Sequence, residues 1–197
     1  YSNFSSDEIT PIKKLDNNKF LLELFHGPTL AFKDIALQLL GNLFDHFLEN
    51  KSQKLIIIGA TSGDTGSAAI EAVKESKYAK IFILHPHNRV SEFQRKQMTT
   101  VNTNNVHNLA IRGNFDDCQN IIKRLFRDNS LNNLKLGSIN SINWTRIMTQ
   151  ISYYIYAFYK IKRTTNKKNI SFSVPTGNFG DVYAGYLAKK RFNIPIN

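Results

Sequence analysis

Short runs of aliphatic and β-branched residues recur along this chain, each followed by a stretch whose apolar residues return every three or four positions. That alternation constrains the fold more than any other feature of the sequence. Residues 55–58, 81–84 (broken by Pro86), Val106–Ile111 and 170–174 read as strands. The continuous apolar character of 55–58 and 81–84 suits strands covered on both faces, as in a parallel sheet. Between them lie helical patterns. One opens at Pro28 and Thr29 and carries Ile35, Leu39, Leu43 and Phe47 at helical spacing. Others are expected over 67–75, 90–100, 115–127 and 144–162, with a last helix following 175–181. Strands joined through helices require right-handed crossovers, so the expected class is α/β with a doubly wound parallel sheet. In such sheets ligands gather beyond the carboxyl ends of the strands.

Composition narrows the functional classes. No apolar run reaches the roughly 18 residues that would span a bilayer. The formal charge of +11 fits either lysines on a solvated surface or a basic cleft that attracts small anions. Nucleic acid is not the expected partner, because the densest basic cluster (160–168) lacks the interleaved aromatics of a stacking platform. Cys118 is the single cysteine, which rules out an intrachain disulfide and a cysteine-based metal site and favours a reducing compartment. It lies beside Asp116 and Asp117 with no activating cation, so an inert thiol is expected. Trp144 and the tyrosines of 153–159 have the spacing of helix-packing aromatics and are expected in the core. The chain opens without Met and closes soon after a helix, which reads as a piece cut at both ends.

Chemistry concentrates in three places. The turn Gly59-Ala-Thr-Ser-Gly-Asp-Thr-Gly66 joins a strand to a helix, and its glycines and hydroxyls suit close approach of an anionic ligand. A tight turn without a ligand is the lesser alternative, and the absence of Gly-Lys-Ser/Thr excludes a Walker loop. The turn Val174-Pro-Thr-Gly-Asn-Phe-Gly-Asp181 repeats the arrangement and offers successive amides as a nest for phosphate. Lys33 is the third place. Its helical neighbours Thr29, Leu30, Ala36 and Leu37 carry no charge. Such a lysine either snorkels to solvent or faces the core with a chemical reason, such as a covalent imine.

The segment Leu24-Phe-His-Gly-Pro-Thr-Leu-Ala-Phe-Lys-Asp34 resembles the lysine segment of the threonine synthase family, fold-type-II pyridoxal-phosphate enzymes. Ser62-Gly-Asp-Thr-Gly-Ser-Ala-Ala69, Arg89-Val-Ser91 with Gln97-Met-Thr-Thr100, and Gly113-Asn-Phe-Asp-Asp-Cys-Gln119 follow in the family's order. Asn140-Ser-Ile-Asn-Trp-Thr-Arg146 and the 174–181 turn complete the resemblance, which runs from Leu22 to Pro195. It implies a tryptophan-synthase-β-like fold of two lobes, here incomplete: 1–50 with 140–197 in the larger, cofactor-binding lobe, and 51–139 in a smaller α/β lobe. Family chains are longer at both ends, and the group contacting the pyridine nitrogen is expected outside this sequence.

The resemblance also implies roles. Lys33 matches the lysine that carries pyridoxal 5'-phosphate as a Schiff base and then shuttles protons. Gly177, Asn178, Phe179, Gly180 and Asp181 match the loop holding the cofactor phosphate. Asp64 falls where related enzymes face the cofactor's phenolic oxygen. Thr61, Ser62, Gly63 and Thr65 match the loop gripping the amino-acid end of the substrate, while Asn140 and Arg146 match positions for the substrate phosphate, which a planar guanidinium suits. His26 is expected to be structural. The implied activity is conversion of O-phosphohomoserine and water to threonine and phosphate, in the cytoplasm or an organelle. Three rivals remain open: a phospho-lyase releasing a keto acid, a serine or threonine dehydratase, and a non-catalytic α/β binding module.

Overall fold

The computed structural model describes residues 1–140, 143–165, 169–177 and 179–197. A two-stranded antiparallel hairpin, β1 (Ile12–Lys14) and β2 (Phe20–Leu22), precedes helix α1 (Lys33–Asn50). Strand β3 (Leu55–Ala60) then begins an alternation through α2 (Asp64–Val73), β4 (Ala79–Pro86), α3 (Glu92–Thr99), β5 (Val106–Ile111) and α4 (Phe115–Leu125). A short strand β6 (Leu136–Gly137) and two helices, α5 (Trp144–Thr165) and α6 (Gly180–Phe192), complete the order.

Strands β5, β4, β3 and β6 lie side by side in that order, all parallel, with Ile57 opposite Ile81 and Gly59 opposite Ile83. Period-two alternation sends successive side chains to opposite faces. Ile57, Ile81, Ile83 and Val106 join Leu37, Leu40 and Leu48 of α1 and Ala68, Ile70 and Val73 of α2 on one side. Ile58 and Leu84 join Cys118 of α4 on the other, flanked by Ile56 and Ile111. Both faces are therefore covered, as the continuous apolar runs require. A further apolar cluster gathers Ile35 of α1, Ile147, Ile151, Tyr153, Tyr154 and Phe158 of α5, and Ala184, Leu187 and Ala188 of α6. Helix α1 thus packs on the sheet through one face and on α5 through another.

Several expectations are corrected. Helix α1 begins at Lys33 rather than at Pro28, because Leu30 takes a left-handed conformation (φ 62°) that a helix cannot contain. Helix α1 buries Ile35 as expected, together with Leu37, Leu40 and Leu48, while Leu39 and Leu43 are half-buried and Phe47 points outward, 56% exposed. Pro86 ends β4 rather than breaking it, where its missing N–H costs no ladder bond. Residues 170–174 form only an isolated bridge from Ile170 to Ile196, supported by the Phe172 N–H on the Asn197 carbonyl. The fourth strand of the sheet is instead β6, too short to stand out in the sequence. Trp144, at the first position of α5, is 62% exposed. Of the tyrosines expected in the core, Tyr153 and Tyr154 are buried while Tyr159 is half-exposed. Cys118 is free and buried, and burial pushes its thiol pKa up, in keeping with an inert group.

Close approach of α1 and α2 fixes the corner that carries the site. A Cβ added at Gly41 would stand 2.2 Å from the Ala72 carbonyl oxygen, backbone that cannot swing aside. Gly41→Ala should therefore force the helices apart at a cost of about 1–3 kcal/mol, the range for overpacking. Chemical denaturation with the midpoint lowered and the slope unchanged is the expected result; an unchanged midpoint would mean that α1 and α2 are not held at this spacing.

Candidate active site

The lysine loop is built around a buried carboxylate. Asp34, fully enclosed in the first turn of α1, accepts the Thr29 backbone N–H at 2.8 Å and the Thr29 hydroxyl at 2.7 Å. The Leu30 N–H donates back to the Gly27 carbonyl at 3.0 Å. These bonds hold the 27–31 turn and the strained Leu30 in place. Burial pushes the Asp34 carboxyl pKa above its usual range, against the opposing pull of the Thr29 donors. A second brace lies behind the loop. Glu23 is buried between Lys13 (2.7 Å) and the His26 Nε2 (2.8 Å), so His26 is tied into the hairpin as a structural histidine.

With the turn fixed, Lys33 emerges at the first position of α1, its side chain only 12% exposed. Its Nζ lies 3.2 Å from Asp64 Oδ2 and 4.4 Å from the centre of the Phe32 ring. Asp64 opens α2, so the residues expected to carry cofactor chemistry meet where the two helices begin. The 61–66 turn is self-braced. Thr61 is buried; its hydroxyl donates to the Gly63 carbonyl and accepts the Gly63 and Gly66 N–H groups at about 3 Å. Thr61 therefore shapes the turn from inside, whereas Ser62 is exposed and Thr65 half-buried. Gly63 has φ 149°, a conformation that suits glycine.

Helix α3 supplies residues that the sequence reading missed. Gln94 donates its Nε2 to Asp64 Oδ1, and Gln97 donates to the Thr29 carbonyl at 3.0 Å. The Ser91 hydroxyl caps α3 by accepting the Gln94 N–H and donates to Gln94 Oε1 at 2.9 Å. The Ser-x-x-Gln spacing of a capping box was visible in the sequence, but the diversion of its glutamine toward Asp64 was not.

A second polar centre lies under the start of α6. Asp181, buried in the first turn, accepts the hydroxyls of Tyr153 and of Tyr154, the latter at 3.0 Å. Burial, reinforced by Asp181, pushes both phenol pKa values up, so the tyrosines remain donors. Arg146, 2% exposed on α5, keeps Nε and Nη1 buried without a protein acceptor among the described residues. Burial lowers its pKa to about 10, which leaves the guanidinium charged at neutral pH. Gly177 and Phe179 are exposed, and a Cβ at Gly177 would meet nothing within 4 Å, so the turn before α6 opens onto free space. Asn178 lies outside the described residues. Asn140 is exposed. The Lys33 corner and this second centre are linked through packing: Ile35 of α1 shares an apolar cluster with Ile147 and Tyr153 of α5.

The Asp34 bonds should be indispensable to the loop. Asp34→Asn keeps one acceptor, for the Thr29 N–H, and sets its amide N–H against the Thr29 hydroxyl, leaving a buried donor unmatched at about 1–3 kcal/mol. Denaturation should show that loss, and a variant as stable as the parent would remove Asp34 as the loop's organiser.

Comparison with known proteins follows the same lines. A family model described as "Pyridoxal-phosphate dependent enzyme" matches residues 6–196. The threonine synthase of Pseudomonas aeruginosa is 54% identical over 198 residues, covering all of this chain and 42% of that protein. The structure of a PLP-bound threonine synthase from Brucella melitensis superposes with a TM-score of 0.88 at 50% identity, over 99% of this chain and 42% of that one. Threonine synthase from yeast gives a TM-score of 0.90 at 47% identity, over the full chain and 40% of that structure. The chain thus spans about two fifths of the length of the relatives it matches.

Proposed function

The chain belongs to the pyridoxal-phosphate dependent enzyme family, and on that premise we propose that the protein is a threonine synthase, converting O-phosphohomoserine and water to threonine and inorganic phosphate. The observation that carries this reading is the largely buried Lys33 amine, paired with Asp64 at the mouth of two helices and at the end of a parallel sheet. The identity to threonine synthases over the whole of the chain supports the substrate assignment.

The groups present fit pyridoxal 5'-phosphate. Lys33 offers an amine for the aldehyde, Asp64 a carboxylate beside it, and the open turn at Gly177 with the first turn of α6 offers backbone amides to a phosphate. In this reading Lys33 and Asp64 hold the cofactor, together with Gly177, Asn178, Phe179, Gly180 and Asp181. When bound, the cofactor supplies an electron sink for negative charge at the substrate carbons.

The chain's own residues do the rest. The Lys33 Nζ would take and return protons at the substrate carbons. Asp64 keeps that nitrogen in place. Ser62, Gly63 and Thr65 face the amino-acid end of the substrate, and Thr61 sets the shape of their turn from within. Arg146 and Asn140 hold the substrate phosphate until it leaves. Arg146 Nε and Nη1, buried and without a protein acceptor among the described residues, are suited to an anion. Tyr153 and Tyr154 anchor Asp181 and so hold the first turn of α6 against α5.

We further propose the lobe division 1–50 with 140–197 against 51–139. It is supported by separate apolar clusters around α5–α6 and around the sheet, with α1 contributing to both. No helix among the described residues is long and apolar enough to cross a membrane. A cytoplasmic or organellar enzyme acting on a small molecule is the reading that fits this together with the free thiol of Cys118.

The test uses the full-length protein supplied with cofactor and O-phosphohomoserine. Threonine and phosphate should appear in equal amounts; phosphate with a keto acid would make the protein a phospho-lyase instead. Arg146→Lys should raise the substrate concentration needed for half-maximal rate by roughly 10- to 150-fold, since a charge-assisted contact contributes about 1.5–3 kcal/mol. An unchanged concentration dependence would take Arg146 out of the site.

A further inference from the structure

The Lys33–Asp64 pair has a third member. Asp64 presents Oδ2 to Lys33 and Oδ1 to the side-chain amide of Gln94, so one carboxylate is held at both oxygens. Its side chain is 47% exposed, and without a second anchor water would compete for it. The amide is itself oriented. Ser91 donates its hydroxyl to Gln94 Oε1, which leaves Nε2 as the group facing Asp64. At the third position of α3, a glutamine would ordinarily fold back on the capping residue's own N–H. Here it reaches across to α2 instead. Gly63 makes the reach possible: a Cβ there would stand 2.2 Å from Gln94 Oε1. One turn further along α3, Gln97 holds the Thr29 carbonyl of the lysine loop. Helix α3 therefore grips both sides of the lysine, through Asp64 and through Thr29.

We infer that Gln94 is a positioning residue, which fixes the Asp64 carboxylate against Lys33 and thereby keeps the amine aimed and covered until it is needed. The inference rests on the reading of Lys33 as the cofactor lysine for its functional meaning, but the contact itself belongs to the protein alone. Removing the hydrogen bond while keeping the bulk separates positioning from packing. Gln94→Met is unbranched and of similar length, and it has no amide donor. With Asp64 free to turn toward water, Lys33 would lose the contact that holds and covers its Nζ, and the amine would be more accessible to reagent.

The experiment measures acetylation of individual lysines in the full-length protein freed of cofactor, by peptide mass spectrometry at a single pH. Lys74, which caps the far end of the helix that Asp64 opens and pairs with Glu71 at 2.6 Å, serves as the internal reference. In Gln94→Met, Lys33 should be acetylated roughly two- to fivefold faster than in the parent, the range for losing a partly exposed ion pair. Lys74 should keep its rate. Ser91→Ala, on the exposed cap of α3, should change Lys33 in the same direction by less, and it keeps the test open if the methionine variant does not fold. An unchanged Lys33 rate in a folded variant would overturn the inference. So would equal acceleration of Lys33 and Lys74, because that would mean general loosening of α2. Neither outcome bears on whether Lys33 takes the cofactor, which is read separately from the labelled site in the loaded protein.

Discussion

The arrangement depends on one requirement: a lysine whose side chain is nearly enclosed must be given a partner. Lys33 finds it in Asp64, where the starts of α1 and α2 come together. Helix α1 cannot start earlier, since Asp34 draws Thr29 into a turn and leaves Leu30 in a left-handed conformation. Helix α2 cannot start earlier either, since the Thr61 hydroxyl closes the 61–66 turn on itself. The two helices then pack so tightly at Gly41 that no side chain fits between them. The parallel sheet beneath supplies the platform, with β3 ending at Ala60 just before the turn that delivers Asp64.

The second polar centre works by a different principle. Around Asp181 the donors are neutral phenols rather than a cation, and their pKa values are driven upward by burial. They anchor the first turn of α6 without adding charge near the open turn at Gly177. Arg146 is the contrasting case, a buried cation whose Nε and Nη1 lack protein acceptors among the described residues. A buried charge in that state is unfavourable by itself, and an anionic ligand would relieve it. The protein thus keeps one lysine satisfied by its own carboxylate and one arginine suited to an incoming anion.

Much of this was legible in the sequence, and the exceptions have physical causes. The parallel sheet followed from the apolar, β-branched runs at β3 and β4, because burial on both faces leaves an unmistakable pattern. Strand β6 escaped notice, since Leu136 and Gly137 carry no periodicity. Residues 170–174 have the composition of a strand, but pairing depends on a neighbour, and only the bridge to Ile196 forms. Lys33 was conspicuous through the uncharged residues around it, yet its partner Asp64 lies 31 positions away in the chain and no local rule connects them. Gln94 and the Tyr153–Tyr154 pair were missed for a related reason. A glutamine in a capping motif and aromatics at helical spacing have ordinary local explanations, and their polar contacts appear only once α3 meets α2 and α5 meets α6.

The central claim is that Lys33 is the residue that takes the cofactor aldehyde. The most direct measurement is borohydride reduction of the cofactor-loaded full-length protein, followed by proteolysis and peptide mass mapping. The pyridoxyl mass should appear on the peptide containing Lys33 and be lost in Lys33→Ala. A label on Lys189 or Lys190, on the exposed side of α6, would contradict it.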